Sequence, residues 1–220
     1  MAGSKDDTKA SLMGSFAAAK KGERPYPHWF VENCLPASSV DAVLGLPFPA
    51  PGLDGVSGKR ELHNKTRRYF DAENRAAFPF VDAISQAFQD PQVTSTIENT
   101  FGTKLKGSYV RIEVAQDIDG FWLEPHTDLG VKLFTFLLYM SKDPSHQDLG
   151  TDIYDHDKKW VARSPFKSNA AMIFVPGSDT YHGFEGRKIE GVRKSLVINY
   201  VTSDWKAREQ LAFPDTPIPG

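Results

Sequence analysis

Cysteine is almost missing from this chain. Its 220 residues include only Cys34, which rules out an internal disulfide or a thiolate metal cage. Cys34 precedes Leu35-Pro36 and reads as a small buried hydrophobe. Long apolar runs are missing too, so no segment reads as a bilayer span. There is little net charge: 26 Lys and Arg against 28 Asp and Glu leave −2, too weak a global field to draw in nucleic acid or an acidic membrane surface. The mildly apolar stretch 12–19 lacks the marks of a secretory leader. Asp6 and Asp7 stand where positive charge is needed, and Lys20-Lys21 follow. A cytoplasmic protein is expected. What is present, 40% hydrophobic and 25% charged residues, suits one domain with a sizeable core.

Residues 1–24 are polar and lysine-rich and are expected to be a flexible arm, with at most a short helix near Phe16. Residues 25–220 read as a single domain in two parts. Between about 35 and 101 the pattern is helical: a start at 35–40, apolar residues at helical spacing over 74–88, and a proline-opened helix over 91–101. The Pro- and Gly-rich stretch 47–60 reads as a loop. From about 105 to 202 the period falls to two. Candidate strands are 108–115, 121–126, 132–140, 151–154, 159–162, 171–175, 180–184 and 193–201, separated by turn pairs such as Asp119-Gly120 and Pro176-Gly177. Strands in a block after helices predict a mainly β fold with α, an antiparallel sandwich or barrel with the helices packed on one sheet.

Side-chain parity sorts these strands. Over 132–140, Phe134, Phe136 and Leu138 share one face, and Thr135, Leu137 and Tyr139 share the other. Over 193–201, Leu196, Ile198 and Tyr200 oppose Arg193, Ser195, Val197 and Asn199. The wholly apolar faces are expected against the helices, and the mixed faces are expected inside the barrel. A buried arginine there needs an anionic partner.

His126-Thr-Asp128 places two metal-ligating side chains on the same side of an extended segment. With a third ligand from a distant strand, His182 in Thr-Tyr-His-Gly-Phe, they form a two-histidine, one-carboxylate set that leaves coordination positions open, the arrangement suited to iron(II). A second His-x-Asp, His146-Gln-Asp148, lies in a polar stretch read as a solvated turn. His156 reads likewise, and His28 and His63 read as structural. Eleven positions beyond His182 stands Arg193, whose planar fork matches a carboxylate. Ser195 and Tyr139 lie on the same inward faces.

Together, His126-x-Asp128, His182 and Arg193-x-Ser195 resemble the iron(II)/2-oxoglutarate-dependent dioxygenase superfamily. Over roughly residues 105–202 the chain is most similar to its prolyl-4-hydroxylase-type branch, through Gly120-Phe-Trp-Leu-Glu-Pro-His-Thr-Asp128 and Thr135-Phe-Leu-Leu-Tyr139-Met. The resemblance implies a double-stranded β-helix (jelly roll, cupin-like), with four strands between the His-x-Asp and the distal histidine. It implies iron(II) on His126, Asp128 and His182, and 2-oxoglutarate as cosubstrate with its far carboxylate on Arg193, Ser195 and Tyr139. It also implies O2 as oxidant, with succinate and carbon dioxide released as a C–H bond is hydroxylated. The branch's usual tyrosine before the first histidine is replaced in Arg111-Ile-Glu-Val-Ala115, and arginine stands where prolyl hydroxylases often carry lysine. The other class compatible with these strands is a non-catalytic metal- or ligand-binding jelly roll of cupin or lectin type, which has no need of Arg193-x-Ser195.

For the substrate, Arg111 shares a strand face with Tyr109 and Glu113 and is a candidate anion contact. Trp122 and Lys132 are candidates for the mouth, and the run 63–69 for a basic surface or lid. The expected partner is a small anionic metabolite or modified amino acid.

Overall fold

The computed structural model describes residues 2–50, 52–53, 58, 67–128 and 130–219. The chain opens with α1 (Lys5–Ala17), β1 (Lys20–Gly22), β2 (His28–Glu32) and α2 (Ala37–Leu44). A short β3 (Arg68–Tyr69) leads into α3 (Ala72–Ala77), α4 (Pro79–Gln89) and α5 (Pro91–Phe101). The β core follows as β4 (Tyr109–Asp117), β5 (Leu123–His126), β6 (Lys132–Tyr139), β7 (Asp152–Tyr154), β8 (Trp160–Arg163), β9 (Ala170–Phe174), β10 (His182–Phe184) and β11 (Arg193–Val201).

These strands form two antiparallel sheets. The larger runs β1-β2-β9-β6-β11-β4-β3, and the smaller β5-β10-β7-β8. Four strands, β6 to β9, separate the strands of His126 and His182, as expected. The parity reading also holds. Val110, Ile112, Phe134, Phe136, Leu138, Leu196, Ile198 and Tyr200 join the core formed with Val81, Ile84 and Phe88 of α4 and Val93, Ile97 and Phe101 of α5. The opposite faces of β4, β6 and β11 line a cavity of about 980 Å³, which residues of β5 and β10 also line.

The N-terminal arm is a correction. Residues 5–17 form a full helix, and β1 pairs with β2 through Lys20 opposite Phe30. The cause is partly local, because Ser4 and Asp7 close a reciprocal capping box. It is partly tertiary. Leu12 and Phe16, one helical turn apart, are fully buried, and Phe16 meets Phe101 edge-on at 5.4 Å. Each such burial contributes about 1.5–3 kcal/mol. Lys5 and Lys9 both reach Asp90, 2.9 and 3.2 Å away, at the start of α5.

The helix expected over 74–88 is two helices. Pro79 disfavours helical backbone in the residue before it, and Phe78 is extended (φ −127°, ψ 102°) between α3 and α4.

Candidate active site

The metal-ligand candidates meet where β5 and β10 pair. Register sets His182 directly across from His126, and their rings lie 4.4 Å apart. This close approach needs Gly183, because a Cβ there would sit 2.7 Å from the Leu123 carbonyl oxygen. Asp128 follows two residues beyond His126. One potential ligand atom from each of the three residues lies within 4.8 Å of the others.

The two imidazoles are oriented alike. His126 Nδ1 lies 2.8 Å from the Glu124 carbonyl oxygen, and His182 Nδ1 lies 3.0 Å from that of Thr180. A carbonyl only accepts, so each Nδ1 carries the proton and each Nε2 presents a lone pair. Burial, aided by the charge of neighbouring His126, pushes the His182 pKa down to about 4, so the ring is neutral at pH 7. Burial works to raise the Asp128 carboxyl. The ammonium of Lys132, the charge of His182 and the bonds from Lys132 and Thr135 outweigh it and hold the group well below the usual carboxylate range. Lys132 Nζ donates to Oδ1, and Thr135 Oγ1 donates to Oδ2 at 2.5 Å. A neutral His182, an ionised Asp128 and a His126 whose Nδ1 is held by a backbone carbonyl fit a divalent transition ion.

The cosubstrate candidates lie on the inner faces of β6 and β11. Ser195 sits between Tyr139 and Ala115 in register. Arg193 is buried. Its Nη1 donates to Asp117 Oδ2 at 2.6 Å and its Nε to the Leu149 carbonyl at 2.7 Å. Its guanidinium lies 4.8 Å from the Phe184 ring centre, and Nη2 makes no hydrogen bond among the described residues. The Ser195 hydroxyl is buried with no hydrogen-bond partner among the described residues. Tyr139 hydrogen-bonds Thr151 at 2.9 Å and Ser164 at 2.5 Å. Gly150 permits this packing, since a Cβ there would lie 1.8 Å from the Ser164 carbonyl oxygen. An unspent guanidinium nitrogen beside an unpartnered hydroxyl is a receptor for a carboxylate. Arg193, Ser195 and Tyr139 line the same cavity as the metal-ligand candidates.

At the other end Arg111 lines the cavity, as its strand face suggested, but each of its guanidinium nitrogens already donates to a protein acceptor. Nη2 bonds Glu113 at 2.9 Å, Nη1 bonds Asn199 at 3.1 Å, and Nε bonds Gln210 at 3.0 Å. Its guanidinium lies 4.8 Å from the ring centre of Tyr69 and 4.9 Å from that of Trp205. Lys132 lines the cavity; Trp122 is 40% exposed and is not among the lining residues. Gly58, which does line it, lies against the Trp122 ring. Of the basic run, residues 63–66 lie outside the described residues, and Arg67 pairs with Glu113 at 3.0 Å. His156 is solvent-exposed as read, with 80% of its side chain accessible. His146 is not, being 1% exposed.

Sequence reasoning gave no role to Glu113, Asn199, Trp205 or Gln210. Parity had already turned Glu113 and Asn199 inward, and demanding partners for Arg111 would have found them. Trp205 and Gln210 lie beyond the last strand, where no periodicity signals an approach to the cavity.

No protein-family model matches the chain, nor does any curated protein. Solved structures do. A prolyl 4-hydroxylase from Phytophthora capsici superposes with TM-score 0.60 at 14% identity, over 92% of this chain and 67% of that one. A prolyl hydroxylase from Trichoplax adhaerens, solved with a hypoxia-inducible-factor peptide, gives 0.58 at 15% identity over 90% and 88%. HygX from Streptomyces hygroscopicus, solved with nickel and 2-oxoglutarate, gives 0.52 at 13% identity over 80% and 82%. The chain therefore has the double-stranded β-helix fold of the 2-oxoglutarate and iron(II) oxygenases, in the form that prolyl 4-hydroxylases share.

Proposed function

We propose that the protein is an iron(II)- and 2-oxoglutarate-dependent oxygenase that hydroxylates an unactivated C–H bond. One observation carries this reading. A His-Asp-His donor set and a buried arginine beside an unpartnered serine hydroxyl open into the same cavity. A protein that merely held a metal would have no use for the second feature.

When bound, iron(II) with 2-oxoglutarate and O2 supplies the C–H oxidation, releasing succinate and carbon dioxide. The chain's own residues prepare the site. His126 and His182 offer Nε2, with their tautomers set by backbone carbonyls. Asp128 stays ionised. Arg193 Nη2 and Ser195 Oγ would receive the far carboxylate of 2-oxoglutarate, with the aromatic rings of Phe184 and Tyr139 packed against the guanidinium.

The substrate in this reading is a small anionic metabolite or modified amino acid. Lys132 supports the anion, because it lines the cavity and its ammonium, now on Asp128, would be released to an anion if a cation took that carboxylate. Trp205 supports an oxygen acceptor on the substrate, because it lines the cavity and its indole N–H is buried without a partner among the described residues.

The test is succinate formation from 2-oxoglutarate with iron(II), ascorbate and O2, run against a panel of anionic metabolites, amino-acid derivatives and proline-containing peptides. Stimulation by a small anion is expected. Stimulation by peptides alone would replace the substrate class, and failure to bind both iron(II) and 2-oxoglutarate would end the oxygenase reading.

A further inference from the structure

A line of buried side chains crosses three strands behind Asp128. Thr135 Oγ1 donates to Asp128 Oδ2 at 2.5 Å, and Asn199 Nδ2 donates to Thr135 Oγ1 at 2.9 Å. Arg111 Nη1 then donates to Asn199 Oδ1 at 3.1 Å, and Arg111 Nη2 to Glu113 Oε2 at 2.9 Å. Thr135, Asn199, Arg111 and Glu113 are each no more than 2% exposed. Register supports the line, since Asn199 on β11 stands between Thr135 on β6 and Arg111 on β4.

The direction of this line is dictated by its ends. Arginine only donates, and an ionised carboxylate only accepts. Asn199 must therefore turn its oxygen to Arg111 and its amide NH2 to Thr135. Thr135 then has one place to send its proton, which is Asp128. Had residue 199 been an acceptor on both sides, the hydroxyl would have had a competing target. Val197, the next inward residue along β11, forms no such link. The line thus holds Oδ2 of Asp128 in a hydrogen bond, and Oδ1, which accepts from Lys132, is the oxygen that would turn to an ion in place of that ammonium.

We propose that Thr135 and Asn199 are positioning residues for the metal-ligand carboxylate, with Arg111 as the fixed donor that sets the proton order of the line. This rests on the proposed metal site and goes beyond it. Arg111, which its strand face offered as a substrate contact, is here the anchor of a ligand-orienting chain. Partners behind a ligating group tune its orientation, and losing one costs about 10–100-fold in metal affinity.

The test uses Mn(II) binding to the full chain by calorimetry, with the absorption spectrum of the Co(II) form as a second readout. Thermal melts serve as the folding control. Thr135→Val should weaken Mn(II) about tenfold or more and alter the Co(II) spectrum, while Thr135→Ser restores both. Asn199→Asp separates positioning from mere structure. The new carboxylate keeps the shape and pairs with Arg111, but it accepts on both sides, so it draws the Thr135 proton away from Asp128. Positioning predicts weaker Mn(II) for Asn199→Asp, whereas added negative charge alone predicts tighter binding. Folded Thr135→Val and Asn199→Asp proteins that bind Mn(II) within twofold of the wild type, or more tightly, would overturn the proposal. Failure of the wild-type chain to bind Mn(II), Co(II) or iron(II) would instead strike at the metal site itself.

Discussion

Two buried arginines share the inner face of the large sheet, and they do different work. Arg111 spends all three nitrogens on Glu113, Asn199 and Gln210. Arg193 spends two, on Asp117 and the Leu149 carbonyl, and lies beside a serine hydroxyl that has no partner among the described residues. A buried cation is tolerated only when paired. Both arginines meet that condition through a carboxylate of β4, Glu113 or Asp117. What distinguishes them is the surplus. A guanidinium with every nitrogen engaged is a strut, and one with a nitrogen left over is a receptor. Charge and burial, taken alone, do not separate the two.

The largest effect expected from this contrast is on stability. Arg111→Ala strips donors from Glu113, Asn199 and Gln210 and removes the cation packed against Tyr69 and Trp205. Breaking a buried pair from one side costs about 3–5 kcal/mol, to be read from urea unfolding of the metal-free protein. If the loss is below about 1 kcal/mol while substrate affinity falls, Arg111 is a receptor after all. The sharpening partner is Arg193→Lys. It retains a charge for Asp117 but loses the planar fork, so 2-oxoglutarate should bind about 10–100-fold more weakly, a loss of about 1.4–2.7 kcal/mol. Unchanged 2-oxoglutarate affinity by calorimetry would erase the difference between the two arginines.

How far the sequence foretold this arrangement follows from the same distinction. Strands β4, β6 and β11 were legible because one face of each is wholly apolar and the other mixed, so parity alone assigned inside and outside. His126 and Asp128 were legible because i and i+2 project together from an extended segment. The state of each arginine was not legible. Register sets Arg193 opposite Asp117 and Arg111 opposite Asn199, and pairing of this kind exists only once the strands align. Gln210 and Trp205 arrive from a segment with no period. Helix α1 was missed for a different reason. Its polar composition hides two anchors, Leu12 and Phe16, although Ser4-x-x-Asp7 was a readable cap.

Between the arginines lies the metal-ligand cluster, where pH probes the same economy of buried charge. The folded-state pKa of His182 is lowered from 6.5 to about 4, so the unfolded chain binds the extra proton between these values. Its contribution to the stability of the metal-free protein is fully present above about 6.5 and is lost progressively as pH falls toward 4. From pH 7 to pH 5 the loss from this group is about 2 kcal/mol. His182→Gln should flatten that part of the profile in urea unfolding. A profile equally steep in the variant would assign the proton to another group.

The smallest effect separates the two His-x-Asp pairs. His146 looked solvated because its neighbours are polar, and those neighbours, Ser145 and Gln147, are indeed exposed. The short 3₁₀ turn Pro144–His146 rotates the imidazole inward. There Nε2 donates to the Glu190 carbonyl at 2.7 Å, and the ring meets Phe166 edge-on at 6.0 Å. His146 also accepts the Leu149 amide at 2.9 Å, and the Leu149 carbonyl is the one that holds Arg193 Nε. His146→Ala should therefore cost about 1–3 kcal/mol of stability from the lost bond and the space left behind. Mn(II) affinity should be untouched, and 2-oxoglutarate affinity should fall only a few-fold (about 1 kcal/mol or less), through a loosened Leu149. Asp128→Ala should show the reverse, abolishing metal binding with the fold intact. Were His146→Ala to abolish Mn(II) binding while Asp128→Ala left it unchanged, the metal would belong to the other pair. The strut-and-receptor contrast between Arg111 and Arg193 would then lose the centre it is arranged around.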